Sequence, residues 1–176
     1  MRAACYFVLI FALLGFVDGQ AEEFPARKPG LWEMKMTQEG RPDAQASRQC
    51  VDEQTDAQMR EMGASMSAQL GGGSCASPEI RSEGGGYVVE SECSLMGTRM
   101  KSRAVFKGDF ASSYSGQAEA SYDPPLMGMA KSKTNISARW LGPCEPGQKP
   151  GDIIMPNGMK LNLQDMRQMG EVMKRR

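Results

Sequence analysis

The sequence predicts a mainly β protein: an antiparallel curved sheet or open barrel-like meander, with one packed helix and two disulfides. Three observations carry that expectation. Apolar and polar residues alternate with period two over several segments, the pattern of a half-buried strand. Only one segment before the last cysteine shows a helical stripe. Four cysteines follow an apolar leader with no C-x-x-C among them, which suits disulfides better than zinc or a redox pair.

Residues 1–21 read as a cleaved secretory signal. Arg2 gives a positive start, residues 3–17 are apolar, and small residues before Gln20 and Glu22 offer cleavage after Gly19 or Ala21. The apolar run is shorter than the roughly 20 residues that a membrane span needs. Cleavage would leave an exported, periplasmic chain with Cys50, Cys75, Cys93 and Cys144 and no transmembrane span. The sequence then divides into one β-rich domain over 22–144 and a tail over 145–176.

Residues 22–29 form a polar lead with two prolines. The first strand covers 31–38, with Trp32, Met34 and Met36 on one face and Glu33, Lys35 and Thr37 on the other. A weaker strand over 45–51 ends near Cys50. A helix follows over 52–70: Asp52 caps it, Glu53 and Asp56 suit its positive end, and Met59, Met62, Met66 and Leu70 make one stripe. Three glycines at 71–73 stop it.

The remainder of the domain reads as strands. Tyr87, Val89, Ser91, Cys93 and Leu95 share one face. Met100, Ala104 and Phe106 share the matching face of residues 98–107. A two-residue Met96-Gly97 loop pairs Glu92 with Lys101, Glu90 with Arg103, Val89 with Ala104 and Tyr87 with Phe106. Opposite charges then meet outside and apolar groups inside. The next strand, 110–122, turns Phe110, Tyr114, Ala118, Ala120 and Tyr122 inward. Parity forbids a two-residue loop before it, so a three-residue loop or bulge is expected at Gly108. Pro124-Pro125 ends that strand. A last strand over 132–141 turns Thr134, Ile136, Ala138 and Trp140 inward.

Four cysteines allow three connectivities, and spacing does not choose among them. The strand reading favours Cys75–Cys93, because a turn at Gly84 sets them opposite each other. Cys50–Cys144 is then the second bridge. That register turns Ile80 outward, a fault that Pro78 can relieve by ending regular pairing. Residues 145–158 read as a Pro/Gly linker. Residues 162–176 read as a short Met-rich helix with a basic end, part of a tail expected to be partly disordered.

Pro29-Gly30-Leu31-Trp32-Glu33, a cysteine closing the second strand, Met-rich alternating strands and the final Gly142-Pro143-Cys144 together resemble an uncharacterised bacterial exported family, domain of unknown function 3617. The resemblance spans roughly 28–144. It implies an envelope location and a mostly antiparallel β domain. It carries no activity and no functional residues.

Composition narrows the chemistry. The 21 basic and 21 acidic residues balance, so there is no electrostatic footprint of a nucleic-acid binder. With no histidine, His-based triads, His-containing zinc sites and histidine pH switches are excluded. Neither G-x-S-x-G nor S-x-x-K occurs, and the glycine triplets lack the Lys-Ser/Thr of a P-loop. No catalytic residue and no cofactor is expected.

Three features invite a binding role. Met127 and Met129 have the close spacing of a thioether copper(I) site, although methionine more commonly fills cores. An inward row of small residues, Ser91, Ser102, Ala104, Ser112, Gly116 and Ala118, leaves room for an apolar ligand or for the Met59 helix. Arg99, Lys101, Arg103 and Lys107 make a basic outer stripe, partly answered by Glu90 and Glu92. The resulting expectation is a non-catalytic envelope module for an apolar ligand or envelope partner. The alternative is methionine-based copper(I) handling.

Overall fold

The computed structural model describes residues 23–69 and 74–174. The expected signal segment, the glycines at 71–73 and the side chains of Met62 and Met66 lie outside what is described. Ten strands form one open antiparallel sheet: β1 (Gly30–Gln38), β2 (Arg41–Val51), β3 (Ser74–Cys75), β4 (Glu79–Glu83), β5 (Gly86–Leu95), β6 (Thr98–Gly108), β7 (Ser113–Leu126), β8 (Met129–Gly142), β9 (Asp152–Ile154) and β10 (Lys160–Asn162). Helix α1 spans Glu53–Gln69 and α2 spans Leu163–Lys174. The spatial order is β10-β9-β2-β1-β8-β7-β6-β5-β3, with β4 beside β3 on the β5 edge.

The centre of the sheet is a meander whose register follows the charges. Glu92 faces Lys101, Glu90 faces Arg103, Val89 faces Ala104 and Tyr87 faces Phe106 across the Met96-Gly97 turn. Both turn residues have positive φ, as a two-residue hairpin with right-handed twist requires. The two disulfides are Cys50–Cys144 and Cys75–Cys93.

The sheet's inner face carries the core. Trp32, Val51, Phe110, Tyr114 and Ala138 are buried, with Phe24, Met34, Met59, Tyr87, Phe106 and Trp140 packed on them. Helix α1 touches β2 at one end and β3 at the other. Its 17 residues reach about 25 Å. The six strand spacings it crosses amount to about 29 Å along the sheet. The helix is therefore a chord across a curved sheet.

The structure departs from the sequence reading in several places. β7 begins at Ser113, not at 110. A loop, residues 109–112, separates it from β6, and the carboxylate of Asp109 accepts the N–H groups of Ala111, Ser112 and Ser113 at 2.7–3.1 Å. Phe110 stays buried from within that loop at φ 54°, while Ser112 is exposed and bonded to Asp109, so it leaves the inner row. β7 also continues past Pro124-Pro125 to Leu126, with its pairing to β8 shifted between Ser121 and Leu126. Ile80 faces Val89 on the inner side. The pairing slips by one residue between Cys75↔Cys93 and Glu79↔Glu90, across Pro78, and that slip reverses the parity.

The Pro/Gly segment expected as a linker contains β9, which pairs with β2, and leads into β10. Asp152 anchors this hairpin. Its carboxylate accepts bonds from Lys149 N and Asn162 Nδ2 and pairs with Lys160 at 2.6 Å. Leu163, at the start of α2, is fully buried. The strands are three residues each, too short for alternation to announce them.

Candidate functional site

Residues 23–29, read from sequence as a polar lead, lie across the inner face as a strap. Phe24 stands edge-on to three rings: Tyr87, Phe106 and Phe110, with centroids 5.1–5.8 Å away. Arg27 is the strap's anchor. Its backbone N and its Nε donate to the two carboxylate oxygens of Asp56 at 3.0 and 2.6 Å. One of its terminal nitrogens donates to Gln49 at 2.9 Å, and its guanidinium lies 5.9 Å from the Trp32 ring centre. Lys28 and Pro29 accept bonds from the indoles of Trp32 and Trp140 through their carbonyl oxygens.

The helix places Asp56 correctly because its first turn is capped. Asp52 Oδ1 accepts from Thr55 N at 2.8 Å, and Thr55 Oγ1 accepts from Asp52 N at 2.9 Å. This is a reciprocal cap with Asp and Thr in the roles usually held by Ser and Glu. The Thr55 bonds hold the Asp52 carboxyl below the usual aspartate range. One turn on, Arg60 donates to the other side of Asp56. Asp56 and Arg27 are both buried, whereas the Arg60 side chain is 23% exposed. Two guanidinium groups thus share one carboxylate, leaving one positive charge in surplus. Arg60 also faces the exposed carboxylate of Glu23 at 3.6 Å. Burial next to this cluster pushes the Tyr114 hydroxyl above the ordinary tyrosine range.

Two clefts flank the strap. One, about 340 Å³, lies toward β4 and β5 and is lined by Pro78, Ile80, Val89, Ser91, Phe106 and the Cys75–Cys93 bridge. The other, about 300 Å³, lies toward β2 and the C-terminal hairpin. Phe24, Met59 and Arg60 line both. The cleft sizes fall at the lower end of small-molecule sites.

The small inward residues fare unequally. Ser91 and Ser102 bond to each other through their hydroxyls at 2.7 Å, and Ala104 pairs with Ala118. Gly116 has no room to spare: a Cβ there would sit 2.4 Å from the Phe106 ring. The row therefore seats an aromatic ring at Gly116 and borders the open cleft at Ser91.

The other candidate features are placed plainly. Arg99 and Lys101 pair with Glu92, and Arg103 pairs with Glu90 and Glu83, at 3.2–3.4 Å. The outer stripe is a ladder of exposed ion pairs, with Arg81 bound to Glu90 by two bonds. That Arg81 contact holds the Glu90 carboxyl below its usual range. Met127 occupies the tip of the β7–β8 hairpin and is 95% exposed, and Met129 follows at 41%. Among the described residues no group of three or more Cys, Asp or Glu is placed to hold a metal ion.

The motif residues that carry the family resemblance meet at one corner of the sheet. Leu31 faces Cys50 on one side and Gly142 on the other, and Cys50 is bridged to Cys144. A Cβ at Gly30 would sit 2.4 Å from the Gly142 oxygen and 2.5 Å from the Trp140 indole nitrogen. Residues 27–144 match the family described as protein of unknown function DUF3617. The chain belongs to the DUF3617 family. The DUF3617 match begins at the strap's Arg27 and ends at Cys144, so it takes in the Arg27–Asp56 anchor and both disulfides. Glu23, Phe24 and the C-terminal hairpin lie outside it. No curated protein and no solved structure matches the chain.

Sequence reasoning found the inner face but missed the strap. Phe24 and Arg27 have no periodic neighbours. Their one signal is an aromatic and a cation spaced by prolines just ahead of the first strand.

Proposed function

We propose that this protein is exported to the bacterial periplasm and acts there as a non-catalytic binding module for an apolar ligand. The observation that carries the reading is the cleft beside the strap, walled by Ile80, Val89, Phe106 and Pro78. Two disulfides in a chain of this size suit an oxidising compartment. The outer face supports the same assignment of sides, since most of its charges answer one another, whereas the cleft beside the strap is walled by apolar side chains.

The test is titration of purified protein with 1-N-phenylnaphthylamine, a neutral apolar probe that brightens when desolvated. Saturable binding is expected, and Ala76→Trp, at the exposed mouth of the cleft, is expected to weaken it at least tenfold while leaving the circular dichroism spectrum unchanged. Absence of saturable binding overturns the reading. Copper(I) handling rests on Met127 and Met129 sharing an exposed hairpin tip. Competition with a copper(I) chelator, run on the wild type and on the double Met→Leu variant, distinguishes it.

A further inference from the structure

The strap does more than roof the core. We propose that Glu23-Phe24 occupies the place of the ligand, and that the ligand is a single-chain amphiphile with an anionic head, whose head pairs with Arg60. This rests on the cleft reading above and names the ligand class of that site. Phe24 is an apolar group seated between two clefts of about 340 and 300 Å³ that it, Met59 and Arg60 jointly line. With the Phe24 ring withdrawn, the two clefts and the ring's own volume join into one groove along the inner face. An extended alkyl chain fits such a groove; a compact ligand would need only one cleft.

The head-group assignment comes from charge. Arg27 is committed to Asp56 and Gln49 in the interior. Arg60 shares Asp56 and turns its remaining donors toward Glu23, whose side chain is 86% exposed. The Glu23 contact, at 3.6 Å, is longer than a hydrogen bond. It is a loose ion pair at the groove's mouth, of the kind worth little in water. A ligand carboxylate or phosphate monoester can replace it with a closer, two-pronged contact to the same guanidinium. Glu23 and Phe24 therefore present, in adjacent residues, a carboxylate and an apolar body. Seating the ligand releases the strap's first two residues while Arg27 keeps its hold on Asp56.

The experiment is displacement of 1-N-phenylnaphthylamine by dodecanoate, dodecyl phosphate and 1-dodecanol, each below its aggregation threshold. Wild-type protein is expected to prefer an anionic head over the alcohol by about tenfold, the scale of a charge-assisted hydrogen bond. The two acids separate a carboxylate from a phosphate preference. Arg60→Gln should abolish the preference yet still release probe to dodecanol. Its fold is secured because Arg27 still answers Asp56. Glu23→Gln should tighten dodecanoate about two- to fivefold, the range for removing a surface ion-pair competitor. Phe24→Ala should tighten all three ligands, with circular dichroism as the check on its fold. Equal displacement by acid and alcohol, or an undiminished preference in Arg60→Gln, overturns this inference and leaves the apolar cleft standing. Failure of every variant to bind probe overturns the cleft itself.

Discussion

The inner face of the sheet has two halves built from the same alternation and filled in opposite ways. Around Trp32, Phe110 and Tyr114, large side chains meet one another and the Phe24 ring, and water is shut out. Toward the Met96-Gly97 and Met127-Gly128 turns, the inward positions include Ser91, Ser102, Ala120 and Ser132, with Cys93, Met100 and Tyr122 beyond them. There, hydroxyl pairs such as Ser91 with Ser102 and Tyr122 with Ser132 stand in for packing. Parity decides which side chains face in. Their size decides where a roof can rest. The strap and Met59 of α1 rest on the aromatic half, and space remains at its border with the small half.

Five predictions grade this contrast. The largest concerns Trp32, which is fully buried. Trp32→Ala should cost about 3–5 kcal/mol by urea denaturation, as for other buried aromatic truncations. Close behind is Asp56→Ala. Removing a buried carboxylate leaves Arg27 unanswered in the interior, a loss of about 3–5 kcal/mol in comparable pairs. It should also free the strap, read as faster amide exchange over residues 23–29. If Asp56→Ala leaves both stability and exchange unchanged, the strap is not part of the aromatic half. Gly116→Val pushes on the Phe106 ring where the halves adjoin, with an expected loss of about 1–3 kcal/mol.

The smallest effects lie in the helix cap and the small half. Hydrogen bonds from Thr55 lower the folded-state pKa of Asp52. The unfolded chain therefore takes up a proton first as pH falls. The cap's contribution is complete above the unfolded value of about 3.9 and is lost as pH drops below it through the folded value. Lowering the pH from 6 to 3 should therefore reduce stability through Asp52, by no more than the roughly 1 kcal/mol usual for a helix cap. Asp52→Asn keeps the cap and should remove that part of the pH dependence. Ser102→Ala should cost no more than about 1 kcal/mol, because its partner Ser91 is only half-buried. A larger loss would mean that the small half is packed after all.

How much of this was legible in the sequence follows from how far each signal extends along the chain. The β5–β6 register could be read because most of its nine consecutive pairs follow one rule, polar outside and apolar inside, on either side of a two-residue turn. The Cys75–Cys93 bridge followed from a turn at Gly84, and Cys50–Cys144 was the pair that remained. Ile80 could be flagged as misplaced and Pro78 named as the break, although the one-residue size of the slip leaves no mark in composition. Val88 alternates with Glu90 and Glu92 on the outer face and is nonetheless buried. It lies between Val105 and Arg81 in adjacent strands, and long neighbouring side chains cover it, which alternation does not register. The strap and the C-terminal hairpin escaped for a common reason. Both are short, proline-bearing segments whose structure is set by the surfaces they land on. The cleft was legible only as a row of small residues, of which Gly116 seats a ring, Ser112 lies outside and Ser91 borders the open space.

The position of β1 has a consequence for the order in which the molecule can assemble. One edge of β1 is matched at once by β2, its immediate successor in the chain. The other waits for β8, so that Met34 meets Ala138 only when nearly the whole family domain has been made. Until then the nascent hairpin holds Trp32, Met34 and Met36 beside an unfilled row of backbone donors and acceptors, the kind of edge that recruits foreign strands. Cys50 waits equally long for Cys144, while Cys75 and Cys93 arrive first and are the thiols at hand for a wrong bridge. Maturation is thereby governed by its last β-strand of consequence: a chain that stops short of Gly142 has made most of its hairpins and none of its closure.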